Sequence, residues 1–233
     1  IAGTEESGPS AGFKDLFKNR WTFICEDKNL KKEVNKIFEN LNLASISWIA
    51  SHPIAGTEES GPSAGFKDLF KNRWTIICDT KNSNKNKVEK LKKFWEFLGS
   101  KVKLMSIDEH DHILALTSHL PHAVAYNIVI TAMNTDEKFK KEIIKYSAGG
   151  LRDFTRIASS DPLMWKDIFI DNSENIIKIL DEFSKNIGDF KKAIIEKNGD
   201  KLLKIFASTK NVRKEIVKAG QDVESPDFGR KKN

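Results

Sequence analysis

All five histidines of this 233-residue chain fall between positions 52 and 122, and four of them lie in the run HDHILALTSHLPH at 110–122. Imidazole is the side chain whose ordinary pKa lets it exchange a proton near neutral pH, so this cluster is the first place to look for acid–base chemistry. On a straight helix His112 and His119 share a face, with His122 about 60° away and Pro121 bending the path. Three readings are open: a metal site, buried histidines satisfied by hydrogen bonds, and the lining of an active site. The metal reading lacks a carboxylate or cysteine partner at ligand spacing, and no metal is expected. Ser118, His52 and Asp111 could be assembled on paper into a nucleophilic triad, but no G-x-S-x-G turn supports it.

A second constellation is GGLRDFTRIASSDPLMW at 149–165, which places Arg152, Asp153, Arg156, Ser159, Ser160 and Asp161 close together. Arginine grips a carboxylate with two parallel hydrogen bonds. The plainer reading is a helix with an internal Asp–Arg pair and a capping Ser or Asp before Pro162. The third is HPIAGTEESG at 52–61. Its IAGTEESG core opens the chain as well: residues 1–22 and 54–75 are identical, and only the second copy follows a His-Pro pair. A structural repeat drifts while keeping its apolar positions. A verbatim copy reads instead as a recent duplication or a join, so His52 marks the copy that carries chemistry.

The elements that must position these residues change character along the chain. Apolar spacing predicts a helix at 30–41, a short strand at 46–50 leading into His52, a short helix at 63–70, a strand at 74–78, an amphipathic helix at 86–98 capped by Gly99, and a strand at 101–105. From Ser106 onward the pattern is helical, over 106–117, 122–133, 135–147, 162–186 and 190–203, with Pro121 and Gly149-Gly150 as kinks or breaks. Residues 221–233 read as a disordered tail.

Apolar residues make up 39% of the chain and charged residues 31%, with a net charge of +6. This is the balance of a soluble globular protein, and no apolar run approaches the ~20 residues of a membrane span. The lysines are dispersed among acidic residues along helices, which argues against a nucleic-acid interface. The two cysteines, Cys25 and Cys78, are too few for a disulfide framework; buried free thiols in a reducing cytoplasm are expected. No signal peptide is visible, and because the chain begins with Ile, a truncated or processed N-terminus is expected.

Taken in order, HPIAGTEESG (52–61), DEHDHILALTSHLPHAVAY (108–126) and GGLRDFTRIASSDPLMW (149–165) resemble the prephenate/arogenate dehydrogenase family of the tyrosine pathway. The resemblance runs from about Lys31 to Arg230. It implies an α/β remnant of a Rossmann-type nucleotide-binding domain followed by an all-α dimerisation domain. The implied organisation is a duplicated segment at 1–26, a partial dinucleotide-binding domain at 27–105, a helical substrate and dimerisation domain at 106–220, and the tail at 221–233.

The resemblance further implies a cytoplasmic homodimer that oxidatively decarboxylates prephenate to 4-hydroxyphenylpyruvate with NAD or NADP, without nucleic-acid or membrane partners. Arogenate is the alternative substrate. His52 takes the place of the hydrogen-bond acceptor for the 4-hydroxyl group. Arg156 matches the arginine that binds a substrate carboxylate, His119 and His122 the pocket histidines, and Glu58 the acidic residue that orders the site. Gly149, Ser160 and Trp165 fall at pocket-lining or domain-packing positions.

Two departures stand out. The chain has no G-x-G-x-x-G turn for a pyrophosphate, so its cofactor-binding residues are unknown. Asn29-Leu30-Lys31 stands where family members usually carry an S-V-K run. A non-catalytic dimerising helical module is therefore the competing reading.

Overall fold

The computed structural model describes residues 40, 49–55, 65–78 and 84–219. The first IAGTEESG copy, Cys25, Glu58, all but residue 40 of the helix expected at 30–41, and the tail after 219 lie outside the described residues.

The first part is a three-stranded sheet in the order β1 (Ala50–Ile54), β2 (Trp74–Cys78), β3 (Lys101–Met105). β1 and β2 are antiparallel, and β2 and β3 parallel. The sequence WTIIC is apolar almost throughout because β2 is covered on both faces. Ile77 packs with Ile49, Val88, Leu91 and Trp95 on one side. Ile76 and Cys78 pack with Ala50 and Leu114 on the other. Helix α1 (Lys85–Phe97) supplies the first cover. Helix α2 (Ile107–Leu114) supplies the second.

Local chemistry sets the ends of these elements. The Asn84 side chain accepts hydrogen bonds from the Asn86 and Lys87 amides to open α1. Gly99 follows it at φ +88°, the left-handed conformation that closes helices. Ser106 and Glu109 form a reciprocal capping box at the start of α2.

α2 runs without a break into a π-helical turn (Ala115–His119) and α3 (Leu120–Met133). Then follow α4 (Glu137–Lys145), α5 (Gly149–Ile157), α6 (Pro162–Asp171), α7 (Ser173–Ile195) and α8 (Gly199–Lys218). α3 packs against α5, and α7 packs against the π turn, α6 and α8. The architecture is a small α/β layer followed by a helical domain.

Several elements differ from their sequence expectation. β1 begins four residues later than the strand expected at 46–50 and contains His52 and Pro53. Proline lacks the amide a central strand needs, but β1 ends the described sheet and bonds through one side. The short helix expected at 63–70 is not seen over its described end: residues 67–72 form turns in which the Leu69 and Lys71 amides donate to the Phe66 and Asp68 carbonyls. Asn72, at φ 60°, then reverses the chain.

Pro121 follows directly on the π turn and does not break the helical run. Gly149 and Gly150 open α5 rather than separating helices. The single helix expected at 162–186 is two helices that part at Asn172, and Gly188 lies inside α7, so the boundary expected before 190 is absent.

Residues 107–133 form, among the described residues, one helical run long and apolar enough by length and composition to cross a membrane. No such stretch was expected, because polar residues interrupt the run without much lowering its average. Its buried His110, Asp111 and His119 are hydrogen-bonded within the fold. Cys78 is buried, as expected.

Candidate active site at the junction of sheet and helices

The register of β1 on β2 aims His52. It lies opposite Ile76, and directly opposed residues project to the same face of a sheet. That is the face covered by α2. His52 Nδ1 lies 2.9 Å from His110 Nε2, with ring centroids 5.2 Å apart. Its neighbour Ser51 points the other way and accepts a hydrogen bond from Trp95 Nε1 at 3.3 Å.

From His110 a polar chain continues inward. His110 Nδ1 is 2.7 Å from Asp111 Oδ1, and the two residues are 3% and 1% exposed. The Asn172 amide donates to the Asp111 main-chain carbonyl at 2.8 Å, and its nitrogen is 3.2 Å from His119 Nδ1. Asn172 Oδ1 accepts from Asn175 Nδ2 at 2.8 Å, which fixes the amide orientation. A nitrogen donor facing His119 Nδ1 makes that atom the acceptor and places the ring proton on Nε2 in the neutral form.

The π turn makes this convergence possible. On a regular helix Asp111 and His119 would be about 80° apart, and one extra residue in the turn reduces this to about 20°. Both therefore reach Asn172. The same shift separates His112 from His119: His112 is exposed and His119 buried, so the two do not share a face.

Beyond His119 the network becomes aromatic. His119 meets the edge of Trp165 at 6.1 Å, and His122 stacks on Trp165 at 3.5 Å. His122 Nδ1–H donates to the Ser118 carbonyl at 2.9 Å. Burial pushes the His122 pKa below its usual value, and the Ser118 hydrogen bond opposes this more weakly. Trp165 Nε1 and the Tyr126 hydroxyl are buried without a hydrogen-bond partner among the described residues. Burial, followed by the negative charge of Asp161, raises the Tyr126 pKa.

The structure thus joins His52, His119, His122 and Trp165 in one connected set. Ser160 is buried, but its hydroxyl donates to the Ile157 carbonyl and closes the end of α5. Arg156 lies exposed in the last turn of α5, and Gly149 lies exposed at its start with open space around it. Arg152 pairs with Asp153 at 3.6 Å, and Asp161 caps α6 by accepting from the Met164 amide, as the local sequence indicates. Glu58 lies outside the described residues. Among the described residues no group of three His, Cys, Asp or Glu is placed to hold a metal ion.

The paper triad of Ser118, His52 and Asp111 does not form. Asp111 reaches His52 through His110, while Ser118 contributes its carbonyl to His122. His110, Asn172 and Tyr126 were not singled out for roles by sequence. His110 sat in plain view within the histidine run, but nothing marked it from its neighbours. Asn172 and Tyr126 carry no local signal.

Comparison with known proteins identifies the family. Residues 30–104 match the nucleotide-binding domain of prephenate dehydrogenase, and residues 106–208 match its dimerization domain. Cyclohexadienyl dehydrogenase of Zymomonas mobilis is 37% identical over 82% of this chain and 64% of its own length. Prephenate dehydrogenase of Bacillus subtilis is 32% identical over 82% of this chain and 51% of its own length. The chain therefore spans between about half and two thirds of these curated relatives.

Among solved structures, prephenate dehydrogenase from Aquifex aeolicus in complex with hydroxyphenyl propionate and NAD+ superposes with a TM-score of 0.76 at 30% identity. The match covers 88% of this chain and 79% of that one. Arogenate dehydrogenase of Synechocystis, at 20% identity and a TM-score of 0.68, shares the fold. With both family domains matched in order along most of its length, the chain belongs to the prephenate dehydrogenase family.

Proposed function

We propose that this chain carries the substrate-binding and proton-accepting part of a prephenate dehydrogenase, acting in tyrosine biosynthesis in the cytoplasm. The observation that supports this most is the connected set running from His52 through His110, Asp111 and Asn172 to His119, Trp165 and His122.

Prephenate bears a hydroxyl at one end of a cyclohexadiene ring and a carboxylate at the other. His52 accepts the hydroxyl proton as the carbon beneath loses hydride. The bond to the opposite carboxylate then breaks, carbon dioxide leaves, and its electron pair completes the aromatic ring. The proton returns to the oxygen, giving 4-hydroxyphenylpyruvate with no net proton change. A neutral imidazole suits the acceptor role near pH 7. Arg156, with His119 through its Nε2–H, holds the substrate carboxylates. Trp165 Nε1–H and Tyr126 O–H are further buried donors for an acidic ligand. In this reading Glu58 orders the site, and Gly149 and Ser160 line it or pack beside it.

NAD or NADP would accept the hydride. These 233 residues contain no G-x-G-x-x-G turn for its pyrophosphate. The helical domain, divided from the sheet layer at 105/106, pairs two copies. Apolar side chains left exposed on it, among them Ile130, Ile144, Ile177, Ile195, Leu203 and Phe206, support such an interface.

The second reading is a dimerising module without turnover. Purified chain given prephenate or arogenate with NAD+ or NADP+ separates the two, and the substrate preference emerges from the same assay. Formation of reduced nicotinamide together with carbon dioxide would support the enzymatic reading. His52→Asn should lower kcat by about 10²–10⁴-fold with modest change in KM. No turnover by a folded dimer would overturn the enzymatic reading of this chain.

A further inference from the structure

We propose that His110 and Asp111 are positioning residues that set the tautomer of His52, so that its Nε2 presents the lone pair that takes the substrate proton. The inference rests on the function proposed above and adds to it two buried residues and a direction for every proton.

A carboxylate only accepts hydrogen bonds. At 2.7 Å from Asp111 Oδ1, His110 Nδ1 therefore carries a proton and donates it. A neutral His110 then has a bare Nε2, which can only accept. The atom facing it at 2.9 Å is His52 Nδ1, which must donate. A neutral His52 with its proton on Nδ1 is unprotonated at Nε2, on the opposite side of the ring. Each assignment follows from the one before, and the chain has one solution when Asp111 is ionised and His110 is neutral.

Burial gives this arrangement its rigidity. His110 and Asp111 are 3% and 1% exposed, and Asn172 ties the Asp111 main chain to His119. When His52 takes up the substrate proton at Nε2, it becomes an imidazolium whose Nδ1–H still points at the His110 lone pair. The Asp111 charge, one ring further in, stabilises that cation without receiving a proton itself. The same division of labour between an aligned acid and a histidine is known from hydrolase triads. Here a second imidazole is interposed.

The competing arrangement is a doubly protonated His110 paired with Asp111. His110 Nε2–H would then donate to His52 Nδ1, and the proton of His52 would sit on Nε2, where it blocks the acceptor role.

Long-range nitrogen–proton NMR on the purified chain with 15N-labelled histidine distinguishes the two, and it does not depend on turnover. Resonances are assigned from His52→Asn and His110→Asn spectra. The proposal expects His52 and His110 both protonated at Nδ1. A proton on His52 Nε2 would overturn it, whether or not any substituted chain is active. Kinetics provide the second test. Asp111→Asn should lower kcat by about 10²-fold or more while KM moves less than about threefold. An Asp111→Asn chain that keeps its kcat would also overturn the proposal. If the wild-type chain shows no turnover, the functional reading fails while the wild-type spectrum still decides the tautomer.

Discussion

His122 lies nearly flat on Trp165, with ring centroids 3.5 Å apart and planes inclined by 21°. The stack holds one face of the imidazole against indole carbon, and the Ser118 carbonyl engages its Nδ1–H. This is a setting for a neutral ring. Burial is the larger influence on its pKa and moves it down from 6.5. A histidine whose pKa is lower in the folded state binds fewer protons there than in the unfolded chain, so stability rises with pH across that interval. The contribution is complete above about pH 6.5 and is lost as pH falls toward the folded value. His122→Phe keeps an aromatic partner for Trp165 and cannot titrate. Urea unfolding at pH 5 and pH 7.5 should show a smaller acid-induced loss of stability in the variant than in the wild type. An equal loss in both would show that His122 does not contribute.

How much of this was legible in the sequence depended on whether a residue's role was local. β2 announced itself because WTIIC is apolar on both faces, and α1 because an amphipathic run ends at Gly99. His52 was marked by its motif, yet its strand was placed too early because Pro53 reads as a strand breaker unless the edge position is known. The π turn has no composition of its own, so the wheel projection put His112 beside His119. Asp111 and Asn172 lie 61 residues apart, and only the folded chain makes the role of either one readable.

Asn172 serves two acceptors at once, the Asp111 carbonyl and His119 Nδ1, and is 5% exposed. Asn172→Ala removes both donors and leaves their partners buried. Each orphaned acceptor costs about 1–3 kcal/mol, so a destabilisation of about 2–4 kcal/mol is expected in denaturant unfolding. A change below about 0.5 kcal/mol would mean that water reaches the site and replaces the amide.

Gly99 joins α1 to β3 at φ +88°, where an L side chain is strained by about 1–2 kcal/mol. A Cβ there would stand 3.2 Å from the Lys71 Cα, a main-chain atom with little room to yield. The Gly99 carbonyl also accepts from the Asn72 amide at 2.8 Å, which holds the conformation in place. Gly99→Ala should lower stability by about 1–2 kcal/mol or somewhat more. Gly99→Asn should lose less on the strain count, because asparagine tolerates left-handed backbone better. Thermal or urea midpoints of the two variants test the order, and an alanine variant as stable as wild type would refute it.

Arg156 occupies the exposed last turn of α5, the helix that packs on the His122-bearing α3. A guanidinium on the surface contributes little to folding, and substitutions at such positions usually stay within about 0.5 kcal/mol. If its work is to hold a substrate carboxylate, the loss should appear in binding alone. A hydrogen bond to a charged group is worth about 1.5–3 kcal/mol, which corresponds to about a 10–100-fold rise in KM for prephenate. Arg156→Gln is expected to show that rise with kcat and unfolding midpoint nearly unchanged, provided substrate binding equilibrates before chemistry. An unaltered KM would remove Arg156 from the carboxylate site. A fall in kcat with KM unaffected would place it with the reacting atoms instead.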